Sequence, residues 1–446
     1  MGATSEGILE RGMGAALRAL QVLAGSDLLD RLGARKGMER VLFRATRDGV
    51  RSAARASRTF TAVQRLARPA RQSPVKSGGL FDITPDDEQQ MLQEAVRSFA
   101  AEKVRPVARD ADAALATPEE LLAELTELGV GMLGVPEQLG GVIEHQAAVT
   151  GALVGIELAH GDLGIAFAAL APGAAATAIG RWGDSEQQAA YLPAFAGESP
   201  PAAALAMLEP APLFNPLLLR TTARRDGADW VIDGVKSLLA RAQACELFVV
   251  AAQIEGSGVR RPGLFIVESS TRGLSIQAEP SMGLRPASTG RLCLEGARVP
   301  AGALLAEGAP DVYAECVHRS RIAWCALATG TAKAVLDYVI PYVNERVAFG
   351  EPISNRQAVA FTVANIGIES ESMRLLTLAA ASRADTGRQI GRQAALARRL
   401  CAAKGMQIGS DGVQLLGGHG YVKEHPVERW YRDLRAVGVI EGALLL

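Results

Sequence analysis

LFVVAAQ at residues 247–253 and GLFIVE at 263–268 decide the fold. Both runs are short, rich in Val, Phe and Ile, and bounded by Gly, Pro or acidic residues, which marks strands rather than helices. WVIDG (230–234), LSIQAE (274–279) and RLCLEGARV (291–299) have the same texture. Together they predict an antiparallel β domain over residues 203–305. Outward from it, helical periodicity holds on both sides. On the N-terminal side, Thr84 and Glu88 precede Met91, Leu92, Ala95, Val96 and Phe99 at helical spacing, which reads as a helix start. Helical patterns continue to about residue 200, with breaks at 129–134 and at PEQLGG (136–141). On the C-terminal side, helical periodicity covers 322–347, 357–384 and 393–416. The expected class is therefore α+β multidomain. An N-terminal helical domain (80–202) and a C-terminal helical bundle (306–446) flank the β domain.

The bulk composition is consistent with this layout. A chain of 446 residues, 48% hydrophobic and 21% charged, has ample material for large cores. A formal net charge of −1 argues against a nucleic-acid binder. The charge is uneven, because residues 1–79 hold 15 Lys and Arg against 6 Asp and Glu, or +9. Arg40, Arg44, Arg47, Arg51, Arg55 and Arg58 recur at steps of three and four, on one face of a helix. That face is either solvated or poised to meet an anionic membrane or an acidic partner. PARQSPVKSGG (69–79) reads as a linker closing this basic extension. The five cysteines form no CxxC pair, which argues against a disulfide framework or zinc site and fits a reducing cytoplasm. Cys325 and Cys401 fall in apolar helical patterns and are expected in the core. No uninterrupted apolar run reaches the roughly 18 residues of a membrane span, and no secretory cleavage pattern opens the chain.

Several longer stretches carry a resemblance. NERVAFGEPISNRQAVAF (344–361) and VQLLGGHGYVKEHPVERWYRD (413–433) resemble signature segments of the acyl-CoA dehydrogenase family. MGLRPASTGRLCLEGARVP (282–300) is similar to that family's β-domain exit. LFDITPDDEQQMLQEAVRSFAAEKVRP (80–106), LGVPEQLGG (133–141) and YLPAFAGES (191–199) fit its N-terminal helices. The resemblance spans residues 80–446. It implies FAD between the β domain and the C-terminal helices, an acyl-CoA thioester beside it, and a carboxylate that removes the α-proton while hydride leaves the β-carbon. The difficult electron chemistry would belong to the flavin.

The chain closes with VIEGALLL (439–446), in which Glu441 stands among apolar residues and glycine. Arg432-Asp433 precedes Glu441-Gly442 in the register that the resemblance expects of the base. On general grounds a lone acid there is a solvated residue; the register makes Glu441 the candidate base. An unpaired acid in apolar surroundings is expected, since burial disfavours the charged form. Ser320 fills the other position where the family keeps a base, and it cannot accept that proton unaided. Arg321 is expected near the CoA path, with His318 in place of an aspartate. The short tail after Glu441 predicts a loosely held carboxylate.

The same resemblance assigns FAD contacts to Arg346, Gln357, Gln414, Gly417 and Gly418. Arginine can bind phosphate bidentately, and glycine lets backbone approach it. Exposed helix charge, solvated side chains and a helix-ending turn are the plainer readings of these residues. Such contacts imply a homodimer or homotetramer, with an electron-transfer flavoprotein as acceptor. Leu208, Leu238 and Ala240 stand where the family has flavin-bonding or stacking side chains. Each lost hydrogen bond costs about 1 kcal/mol. A structural or regulatory subunit and an acyl-CoA oxidase therefore remain alternatives.

Overall fold

The computed structural model describes residues 83–141, 147–197, 199–256 and 261–446. The arginine row at 40–58, the linker at 69–79 and any membrane contact made through residues 1–79 lie outside them.

The first helical layer contains α1 (Asp87–Phe99), α2 (Arg105–Ala114), α3 (Glu119–Glu127), α4 (Ala148–Gly161), α5 (Leu163–Trp182) and α6 (Ser185–Phe195). A π-helical turn, Ala100–Val104, joins α1 to α2. The cap of α1 is Asp86 rather than the predicted Thr84. Its carboxylate accepts from the Gln89 amide at 2.8 Å, and the Gln89 side chain returns the bond at 3.1 Å. This reciprocal pair satisfies two otherwise orphaned N–H groups. Helix α5 is long and apolar enough to pass for a membrane span, which corrects the sequence expectation. Its most apolar window is 78% buried, so here it is a core helix.

Seven strands follow: β1 (Ala203–Ala206), β2 (Thr222–Asp226), β3 (Asp229–Leu239), β4 (Leu247–Glu255), β5 (Arg261–Glu268), β6 (Leu274–Ala278) and β7 (Gly290–Val299). They form one sheet in the order β1-β4-β2-β3-β7-β6, with β5 also on β4. The sheet is mostly antiparallel, but β1 and β2 run parallel to β4. Strand β4, the quoted LFVVAAQ, is buried on both faces, which explains its unbroken apolar pattern. Inside the domain, Lys236 is fully enclosed and bonds Glu209 at 2.9 Å, while Glu209 also accepts from the Arg220 and Thr221 amides. Burial pushes Lys236 down to about 8 against the pull of Glu209.

The C-terminal bundle comprises α7 (Pro310–Glu345), α8 (Gln357–Asp385), α9 (Gly391–Leu416) and α10 (Val427–Ala436), with a small β8–β9 ladder (Val347–Ala348, Glu351–Pro352) between α7 and α8. Helix α7 starts twelve residues before the predicted 322. Its 36 residues make it about 54 Å long at 1.5 Å per residue, enough to pack on the N-terminal helices and on the bundle. Cys325 and Cys401 are buried, as the pattern predicted. Ion pairs tie the layers together. Arg429 on α10 meets Asp162, the cap of α5, at 2.9 Å, and Arg432 meets Asp112 on α2 at 3.1 Å.

Candidate active site

Helix α10 ends at Ala436, and the chain turns back beneath α7. Glu441 lies on that turn and is 9% exposed. Its setting is buried, as expected, but the expectation of an unpaired acid is corrected. Arg321 on α7 donates to Oε1 at 2.8 Å through Nη2 and to Oε2 at 2.9 Å through Nε. Arg321, expected on the CoA path, is thus the partner of this carboxylate. Arg398 on α9 places Nη2 3.5 Å from Oε1 and donates to the Ile440 carbonyl at 2.7 Å. Its Nη1 is buried without a partner among the described residues. Burial pushes the Arg398 guanidinium below its ordinary range, with Glu441 opposing.

The backbone around Glu441 is also tied down, against the expectation of a loose tail. The Gly442 carbonyl accepts from Ser320 Oγ at 2.9 Å and from Trp324 Nε1 at 2.8 Å. The Ala443 amide donates to the Leu205 carbonyl of β1 at 3.2 Å. Gly442 has φ +76°, and a Cβ there would overlap Met207, so only glycine suits both the conformation and the contact. Ser320 therefore holds the loop that carries Glu441.

Two clefts stand out, one near this region and one at the far end of α7. One, about 630 Å³, runs along the first turns of α7 and the α8–α9 connection, and is lined by Arg181, Glu315, His318, Arg319 and Arg388 among others. Arg181 and Arg319 share Glu315, at 3.1 Å and 2.6 Å, and with Arg388 and Asp311 also in the lining three arginines face two carboxylates, so one positive charge is left over. His318 Nδ1 is buried with no partner among the described residues. Burial, then Arg321, lowers the His318 pKa, with Glu441 acting against them. The sequence reading missed Arg181, Arg319, Arg388 and Arg398. In sequence they look like ordinary helix and loop charges, and only the chain path brings them together.

The second cleft, about 400 Å³, is lined by Tyr342, Arg346, Gln414, Gly417, Gly418 and His419 among others. Four of the five residues expected to hold FAD thus meet in one place. Gln357 does not line it; it is exposed at the first position of α8. Gly417 has φ +58°, and no atom lies within 4 Å of where a Cβ would stand on Gly417 or Gly418. The bare backbone there is open to close approach. At the expected flavin-ring end, Leu208 and Ala240 are buried and offer no side-chain donor, and the Leu238 amide already donates to Glu279 at 2.9 Å.

Comparison with known proteins decides the family. Family models described as the acyl-CoA dehydrogenase N-terminal, middle and C-terminal domains match residues 86–199, 204–297 and 310–444. The chain belongs to the acyl-CoA dehydrogenase family. It is 31% identical over 363 residues to the mitochondrial short-chain specific acyl-CoA dehydrogenase of Bos taurus, covering 79% of this chain and 86% of that one. Among solved structures, the butyryl-CoA dehydrogenase of Megasphaera elsdenii matches with a TM-score of 0.74 at 27% identity, over 81% of this chain and 96% of that one. A glutaryl-CoA dehydrogenase from Mycobacterium smegmatis, solved in complex with FADH2, matches with a TM-score of 0.72 at 27% identity, over 80% and 92%. The helix–sheet–helix order expected from the sequence is the architecture of this acyl-CoA dehydrogenase family member.

Proposed function

We propose that the protein is an FAD-dependent acyl-CoA dehydrogenase in which Glu441 removes the α-proton of an acyl-CoA thioester. The observation that carries this reading is a buried carboxylate oriented by Arg321, next to a large cationic cleft. Each carboxylate oxygen has two lone pairs. Among the described residues Oε2 accepts only from Arg321 Nε, which leaves it a site for a proton. Arg321 and Arg398 position the carboxylate and balance its charge. The cationic cleft with Arg181, Arg319 and Arg388 suits the phosphates of CoA, which guanidinium groups bind well.

FAD, when bound, would supply the hydride acceptor for the β-carbon. Arg346, Gln414, Gly417 and Gly418 would hold its nucleotide end, and Gln357 belongs to a contact outside this cleft. Large apolar side chains are exposed on the same bundle, including Phe349, Phe361 and Ile368. They support pairing with a second copy as homodimer or homotetramer. An electron-transfer flavoprotein is the expected acceptor.

A second reading is favoured by one observation, the donor-free setting of Leu208 and Ala240. It makes the chain a structural or regulatory subunit with little hold on flavin. The test is flavin absorbance of the purified protein, followed by anaerobic addition of acyl-CoA. Bound flavin that bleaches supports the dehydrogenase; colourless protein that rejects added FAD supports the subunit.

A further inference from the structure

The loop between β1 and β2 turns leucines outward. Residues 210–219, PAPLFNPLLL, carry no charge and hold three prolines and four leucines. Leu213 is 101% exposed, Leu218 71% and Leu217 53%. The loop is nevertheless firmly held. Pro216 is buried, and its carbonyl accepts from the Tyr313 hydroxyl on the first turn of α7 at 2.6 Å. Leu219 is buried in the core cluster that also contains Tyr313, and Phe214 packs against that cluster. Asn215 closes a turn, its Oδ1 accepting from the Leu217 amide at 3.0 Å and its carbonyl from the Leu218 amide at 2.9 Å. Leu213 has φ +51°, a left-handed backbone that is costly for a leucine. This residue therefore combines a strained backbone with an apolar side chain standing wholly in water. Arg220, exposed, follows the loop directly. The nearest acid before it, Glu209, is buried and bonded to Lys236. The first turns of α7, which hold the loop through Tyr313, also line the cleft with Arg181, Arg319 and Arg388.

We infer that this loop docks the protein on an anionic phospholipid membrane, with Leu213, Leu217 and Leu218 entering the bilayer interface and Arg220 meeting the headgroups. The inference goes beyond the acyl-CoA reading and does not depend on it. Clustered exposed apolar side chains mark an interaction site. Apolar residues beside cations suit an anionic lipid interface, where the former bury among acyl chains and the latter pair with phosphate. A protruding leucine needs no shaped pocket in a bilayer, as it would in a protein partner. The prolines fix φ at three positions, so little freedom is lost when the loop inserts. The absence of acids from residues 210–219 removes the charge that an anionic surface would repel.

The test is sedimentation of the full chain with vesicles of mixed phosphatidylcholine and phosphatidylserine, and with vesicles of phosphatidylcholine alone. The wild type is expected to bind the mixed vesicles, and Leu213→Asp/Leu218→Asp to lose about tenfold or more in partition coefficient. Both positions are exposed, and aspartate tolerates the left-handed backbone at 213, so this variant is expected to fold. Binding to phosphatidylcholine alone is expected to be about tenfold weaker. Leu213→Trp then locates the insertion. The four native tryptophans are buried, so extra quenching by lipids brominated in their acyl chains reports the loop itself, whatever residues 1–79 do. Stronger quenching in Leu213→Trp than in the wild type supports the inference. A wild type that ignores both vesicles, unchanged binding by the double variant, equal binding to both vesicle types, or quenching equal to the wild type would overturn it. Loss of self-association in the double variant, without loss of vesicle binding, would also overturn it and assign the leucines to a second copy.

Discussion

At the scale of single residues, the account turns on Glu441 and the cations that hold it. Replacing Glu441 by Gln keeps the shape and removes the proton acceptor. Dehydrogenation is expected to fall about 10²–10⁴-fold, the usual contribution of a positioned base, with acyl-CoA affinity in calorimetry changed far less. Arg321→Lys keeps a charge but loses the two-point grip of guanidinium on carboxylate. A kcat loss of about 10²-fold is expected from misplacement of the base, with KM moving little in steady-state assays. The burial of Glu441 was legible in the sequence, and the Arg432-Asp433 spacing singled it out as the proposed base. Its partners were not. Arg321 is 120 positions away and Arg398 is 43 away, and the local apolar run around Glu441 suggested no counter-charge. Apolar neighbours in sequence do not determine which side chains a fold brings from other helices.

At the scale of elements, two buried polar groups make the fold sensitive to substitution and to pH. Lys236 on β3 and Glu209 after β1 form an enclosed ion pair. Lys236→Met strands Glu209 as a buried charge, and a loss of about 3–5 kcal/mol in urea unfolding is expected. Asp433 on α10 donates no charge to solvent: it is fully buried, and its Oδ1 accepts from the Leu284 amide at 2.6 Å. Burial, then the nearby Asp162, pushes Asp433 up to about 7. The folded state therefore binds a proton that an unfolded chain releases near the ordinary aspartate value. The stability from this group is complete below about pH 4 and is lost as pH rises through 7. Thermal midpoints measured from pH 5 to 8 should fall across that window in the wild type and fall less in Asp433→Asn. The helices were legible from their period, and the fully buried strand β4 from its short, bounded apolar run. The parallel pairing of β1 and β2 with β4 was not, since a short strand's alternation does not encode the direction of its neighbour. The membrane-like composition of α5 shows the same limit, because an apolar helix is alike in sequence whether protein or lipid surrounds it.

At the scale of the whole molecule, large apolar side chains are exposed on the first helix, on the β domain (Leu213, Leu217, Leu218) and on the C-terminal bundle. Phe349, 96% exposed, and Phe361, Ile368, Tyr421 and Val422 stand out on the bundle that also carries the Arg346–Gln414 cleft. Their exposure is costly in a monomer and is relieved if a second copy covers them. Light scattering is expected to give a dimer or larger assembly, and Phe349→Asp to shift it toward monomer with loss of bound flavin. A monomeric wild type would refute this part of the account. The order of helical, β and helical blocks was legible across the chain because each block has its own hydrophobic period. The 630 Å³ cationic cleft was not, because Arg181, Arg319 and Arg388 come from three separated segments.

The most direct measurement is an anaerobic titration of the flavin-loaded protein with butyryl-CoA, followed by absorbance, for the wild type and Glu441→Gln. The account predicts rapid bleaching in the wild type and essentially none in the variant, with equal flavin content in both. Bleaching of Glu441→Gln at the wild-type rate, or a flavin-loaded wild type that stays coloured, would contradict it.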